Sequence, residues 1–252
     1  MARIWFKTKN IVISIIVLLA IIGISGFIFY KFKDNFLDIK TPNQKTVFTI
    51  EDKKISDSTK PFDIEIVYPY VASLDNFNQL VKDIVDKQLN DFKTFSLEND
   101  TAVKETDPVD YEKYPRSYYL SIGYEKGQID DNIASVVLIV ETFTGGAHGA
   151  HYPISVNYDV KNKKEIKLAD LFLGQDNYLQ KISDYCIANL TIQMKQRVEQ
   201  QYIDYQWIKE GAGPKEENYS IFLIDKDSIK FYFPEYQVAA YAVGSFTVTM
   251  PR

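Results

Sequence analysis

Residues 11–30, IVISIIVLLAIIGISGFIFY, contain no charged side chain, and Arg3, Lys7 and Lys9 stand ahead of them. Twenty residues at a helical rise of ~1.5 Å span ~30 Å, the thickness of the hydrocarbon core of a bilayer. The stretch is therefore predicted to be a transmembrane anchor. Residues 1–10 form a short tail that stays in the cytoplasm, as tails ahead of a first span usually do, and the rest of the chain lies outside. A cleaved signal peptide is the competing reading, because Gly23 and Ser25 are small residues at the end of an apolar run. Phe27, Ile28, Phe29 and Tyr30 prolong that run, however, and no A-x-A pattern accompanies it. The protein is thus expected in the cell membrane as a single-pass protein or, after cleavage, outside the cell. Residues 31–45, KFKDNFLDIKTPNQK, are polar with one proline and read as a linker.

Charge divides the chain in the same way. Of 29 basic and 34 acidic residues, three basic ones and no acidic ones precede residue 31, so 26 basic against 34 acidic groups leave a net charge of −8 on the remainder. Such a body repels nucleic acids and anionic polymers at long range and attracts basic proteins. With 46% apolar residues and a single Cys, the chain is neither disordered nor a disulfide scaffold.

Periodicity predicts the elements of the body. Phe62, Ile64 and Ile66 alternate with Asp63 and Glu65, the period of a half-buried strand. Leu74, Phe77, Leu80, Val81, Ile84, Val85, Leu89 and Phe92 follow on one helical stripe, with Ser73 or Asp75 as cap. Residues 96–115 are polar, contain Pro108 and Pro115, and read as a loop. Tyr118 to Tyr124 alternates again, and IASVVLIVETF, residues 133–143, reads as a strand buried on both faces. The order then returns: an alternating strand at 152–160, the segment LADLF, a helical stretch from about Asp176 toward Gly211, Gly213 and Pro214, and strands at 219–224, 229–233 and 245–250. The expected fold is α+β, in two small units of residues 46–144 and 145–252, each an antiparallel sheet packed against a long helix, after one N-terminal transmembrane helix.

Both histidines fall in TGGAHGAH, residues 144–151, between two strands. One reading makes Gly145, Gly146, His148, Gly149 and His151 a binding surface; another makes the turn a connection that needs glycine for positive φ, with His148 packed beneath it. His148 and His151 as metal ligands form a third, weaker reading, since side chains three apart on a strand point to opposite faces. No G-x-S-x-G elbow is present, and Cys186 lies on the apolar stripe of a helix, so no catalytic residue and no cofactor is assigned. Tyr236 and Tyr241, in FPEYQVAAYAVG, suit contact with a sugar or a protein, and equally an irregular crossover at the end of a sheet.

TFTGGAHGAHYPISVNYDVKNKKEIKLADLF and FPEYQVAAYAVGSFTVTMP resemble a bacterial domain of unknown function found outside the membrane in RsiV-type anti-sigma factors. FDIEIVYPYV and its following helix resemble the companion domain that precedes it, and the same pair occurs ahead of the catalytic domain of PdaC-type peptidoglycan deacetylases. The resemblance covers roughly residues 60–250. It implies an envelope-facing module and, in the anti-sigma branch, lysozyme as the bound signal. About ten residues before the span are too few to hold a sigma factor, and no deacetylase domain is expected after the last strand. The expected function is a membrane-anchored, non-catalytic binding or sensor module for a basic, lysozyme-like protein or a peptidoglycan fragment. The alternative is an envelope hydrolase or metal-dependent enzyme centred on the Gly/His turn.

Overall fold

Strand β1, Ile50–Asp57, pairs antiparallel with β2, Phe62–Val71, and the chain then enters helix α1, Asp75–Thr106. These and the following elements come from a computed structural model that describes residues 48–114 and 116–252. The predicted anchor at 11–30, its tail and its linker lie outside those residues. Among the described residues no helix is long and apolar enough to cross a membrane.

Helix α1 forms because Phe77, Val81, Val85, Phe92 and Ser96 recur at steps that place them on one buried face. Its outer face carries the i,i+4 ion pairs Lys82–Asp86 and Lys87–Asp91. The expected cap is not made by Ser73 or Asp75. Leu74 is the cap residue, and Asn78 instead ties the first turn to β2 by accepting from the Val71 N–H and donating to the Val71 carbonyl, each at 2.8 Å. The loop expected at 96–115 is also corrected: α1 runs on to Thr106, and α2, Pro108–Lys113, follows directly. Pro108 begins that helix, where its missing N–H costs nothing, and the Asp107 side chain accepts from the Asp110 N–H at 3.0 Å.

Strands β3, Tyr118–Ile129, β4, Ile133–Phe143, β5, Ala150–Asp159, and the two-residue β6, Lys164–Glu165, complete a six-stranded sheet in the order β1-β2-β3-β4-β5-β6. The sheet is mixed rather than antiparallel throughout, because β3 returns parallel to β2 after the long crossover through α1. β5, expected to open the second unit, pairs with β4 from Ile133↔Asp159 to Thr142↔Ala150 and so belongs to this first sheet.

Helix α3, Tyr178–Arg197, and helix α4, Tyr205–Gly211, precede a second, antiparallel sheet of β7, Phe222–Ile224, β8, Ser228–Phe233, and β9, Phe246–Pro251. Ile182, Cys186, Leu190 and Met194, four apart, pack on Phe231, Phe233, Phe246 and Val248. The opposite face of this sheet meets the first one through Val137, Leu223 and Tyr232. β4 is therefore buried on both faces, with Val136, Leu138 and Val140 under α1. Polar groups at the contact are matched: Ser135 Oγ donates to Asn157 Oδ1 at 2.6 Å and accepts from the Ile224 N–H at 2.8 Å, while Asn157 Nδ2 donates to the Phe222 carbonyl at 2.8 Å.

Candidate functional site

The β4–β5 connection is built from glycines for two different reasons. Gly145 and Gly146 adopt φ of 103° and 112°, a region closed to most side chains. Gly149 is needed for space, since a Cβ there would lie 2.7 Å from the Tyr119 hydroxyl and 2.9 Å from the Thr142 carbonyl oxygen. Asn99, from the extended end of α1, donates Nδ2 to the Thr144 carbonyl at 2.6 Å and holds the turn against the helix.

His148 is exposed on this turn and not packed beneath it. Its ring stacks on Tyr241, with centroids 4.3 Å apart and planes at 28°, and Tyr241 in turn lies 5.6 Å from Tyr236 at 31°. The Tyr241 hydroxyl donates to the Gly149 carbonyl at 3.3 Å, and His148 Nδ1 lies 2.8 Å from the same oxygen. Residues far apart in sequence thus form one ladder, Tyr236–Tyr241–His148.

The ladder is braced from the second sheet. Arg197 of α3 donates to the carbonyls of Val243, 3.1 Å, and Ser245, 2.7 Å, and lies 3.8 Å over the Phe246 ring, which fixes the 3-10 turn Tyr241–Val243. Trp207 of α4 donates Nε1–H to the Tyr236 carbonyl at 3.0 Å. Tyr236 itself holds φ of 68°, uncommon for a residue with a bulky side chain, and its side chain is 57% exposed. The strained backbone and the exposed ring make Tyr236 the outermost candidate contact of this site. Trp207 and Tyr119 had no local signal in the sequence; only the crossings of α4 and β3 bring them to this face.

His151 does not join the ladder. It sits on β5 opposite Glu141 of β4. Among the described residues no group of three or more His, Cys, Asp or Glu side chains converges as a metal site, so a metal on the two histidines would lack a third protein ligand. Cys186 is fully buried, and burial pushes its thiol up to about 12. The native protein is expected to be silent to a thiol reagent at mildly alkaline pH and to react with one equivalent once unfolded in guanidinium; labelling of the native state would show that α3 opens.

Two cavities flank these elements. One of about 310 Å³ lies between the end of α1 and the Gly turn, among Asn99, Val103, Thr106, Arg116, Tyr118 and Gly146. A larger one, of about 410 Å³, is lined by Glu165, Lys167, Glu216, Glu217 and Tyr219, away from the histidines.

Comparison with known proteins matches residues 55–151 to the family described as Deacetylase PdaC and residues 169–252 to a family of unknown function, DUF3298. The chain is similar to the peptidoglycan-N-acetylmuramic acid deacetylase PdaC of Bacillus subtilis, with 26% identity over 239 residues, 94% of this chain and 48% of that protein. It therefore spans about half the length of this curated relative. Crystal structures of DUF3298 family proteins share the fold. One from Bacteroides fragilis has a TM-score of 0.55 at 20% identity and covers 82% of this chain and 91% of its own. One from Pseudomonas aeruginosa has 0.53 at 14%, covering 82% and 92%. The deacetylase side of the expected resemblance is found in this way; the likeness to RsiV-type anti-sigma factors rests on the sequence motifs alone.

Proposed function

We propose that this chain is an envelope binding module, tethered at the membrane by residues 11–30 with its body outside the cytoplasm, that holds the glycan of the cell wall without acting on it. The observation that carries the reading is the Tyr236–Tyr241–His148 ladder, whose outer ring is exposed and held in a strained backbone. The outward face of the exposed Tyr236 ring, backed by Tyr241 and His148, matches the apolar face of a pyranose ring, and its hydroxyl offers a hydrogen bond at the edge. Similarity to a protein named for acting on peptidoglycan supports wall glycan as the polymer.

A second reading is favoured by charge. A net charge of −8 on residues 31–252 attracts a basic, lysozyme-like protein, and the same ladder supplies aromatic anchors for such an interface. Co-sedimentation separates the two. The full chain in mild detergent is expected to pellet with purified peptidoglycan in buffered salt, and to be retained by immobilised lysozyme only if the second reading holds. Failure to pellet at micromolar protein removes the glycan reading.

A further inference from the structure

We propose that the cavity of about 310 Å³ between the end of α1 and the Gly turn is an acetamide pocket that selects N-acetylated hexosamine units of the wall glycan. This rests on the reading of the ladder as a glycan platform and names the feature of the sugar that the neighbouring cavity recognises.

The pocket has three walls of different chemistry. Ala102 and Val103, with the Tyr118 ring, form an apolar side that suits a methyl group. At the rim stands Arg116, which makes no hydrogen bond or ion pair among the described residues. Asp100, behind the Tyr118 ring, is already satisfied by the hydroxyls of Tyr111 at 2.7 Å and Tyr118 at 3.2 Å. The third wall is the Gly turn, where a Cβ on Gly146 would meet nothing within 4 Å, so the space beside it is open. Asn99 spends its Nδ2 on the Thr144 carbonyl, and its Oδ1 accepts no hydrogen bond among the described residues.

An acetamide satisfies all three. Its methyl lies on Ala102 and Val103, its carbonyl accepts from the Arg116 guanidinium, and its N–H donates to Asn99 Oδ1. The charge balance agrees. Asp107 lines the pocket with Arg116, one of its oxygens already engaged as the cap of α2, so the two charges balance. A sugar stripped of its acetyl group carries an ammonium, which loses the methyl contact and meets Arg116 as a like charge. At about 310 Å³ the cavity is at the lower end of the ~300–1,000 Å³ range of ligand sites, which fits one sugar unit and not a chain. Gly146 and His148 are two residues apart, so their Cα atoms are at most about 7.6 Å from each other. The pocket wall and the His148 end of the ladder are therefore parts of one short turn.

Calorimetric titration of the full chain in mild detergent tests this with two probes, the β-1,4-linked N-acetylglucosamine tetramer and its fully de-N-acetylated counterpart. The acetylated tetramer is expected to bind at least tenfold more tightly. Val103→Trp, which fills the pocket, and Arg116→Ala, at an exposed side chain that leaves the fold undisturbed, are each expected to reduce that preference to within threefold. Equal binding of both tetramers, weakened alike by Tyr236→Ala, would overturn the acetamide pocket and leave the ladder as platform. A preference for the acetylated tetramer that survives both pocket variants would overturn the pocket as well. Binding of neither tetramer would overturn the glycan reading together with the pocket.

Discussion

Gly211→Val is expected to destabilise the protein by at least about 3 kcal/mol and to lower the melting temperature by about 6–12 °C for a body of this size. Gly211 ends α4, and a Cβ there would lie 1.9 Å from the backbone oxygen of Gln237 and 2.7 Å from its carbonyl carbon. Neither atom is the end of a flexible side chain. The two strands of chain are also stitched together, because Gln237 Nε2 donates to the Gly211 carbonyl at 2.8 Å and to the Asn218 carbonyl at 2.9 Å. On the other side the Ala212 carbonyl accepts from Ser183 Oγ at 2.7 Å and from the Tyr219 hydroxyl at 2.5 Å, both buried. Relief of the clash must therefore break hydrogen bonds or move the 234–238 segment, which carries Tyr236. The control is Gly123→Thr. Its Cβ meets nothing within 4 Å in the middle of β3, and a β-branched residue there is expected to leave stability unchanged or raise it. Thermal unfolding followed by circular dichroism reads both; a Gly211→Val protein as stable as the parent would show that the close approach is not held in solution.

What the sequence disclosed, and what it withheld, follows the range of the interactions involved. The stripe from Phe77 to Phe92 and the step of four from Ile182 to Met194 are local periodicities, and both helices form where they predict. The doubly buried run 133–143 became the central β4 for the same reason. The polar stretch 96–106 carries no such signal. It stays helical because Ser96 is buried and Asn99 is tied to the Gly turn, contacts supplied by residues far along the chain. Pro108 was ambiguous by nature, since the residue that ends one helix is also suited to the first turn of the next. Strand pairing was least legible: nothing within 150–159 indicates whether β5 joins β4 or opens a new sheet, and the choice lies in the ten-position register with β4. At the site, the glycines, His148, Tyr236 and Tyr241 were readable as residue types, but their meeting in one ladder depends on the Arg197 brace and on Trp207 beneath Tyr236.

Tyr241→Ala is expected to weaken glycan binding at least 30-fold while costing the fold little. Tyr241 is the middle ring, in contact with His148 on one side and Tyr236 on the other, so its loss leaves two rings without a common support. Anchors of this kind account for about 2 kcal/mol or more of a binding free energy, which is roughly 30-fold in affinity. The stability cost is bounded by geometry: the side chain is half-buried, its hydroxyl makes one 3.3 Å hydrogen bond to the Gly149 carbonyl, and the cores under α1 and α3 do not include it. A loss of about 1–2 kcal/mol in stability corresponds to a melting temperature about 2–8 °C lower, well short of unfolding at the temperature of a binding assay. Tyr241→Phe separates the ring from the hydroxyl. It keeps the stack and gives up only the bond to Gly149, so its affinity for the N-acetylglucosamine tetramer is expected to stay within about threefold of the parent, since a neutral hydrogen bond contributes about 0.5–1.5 kcal/mol and this one is long. If Tyr241→Ala instead binds as the parent does, the ladder is a device that closes the end of the sheet, and the ligand must be sought at another face.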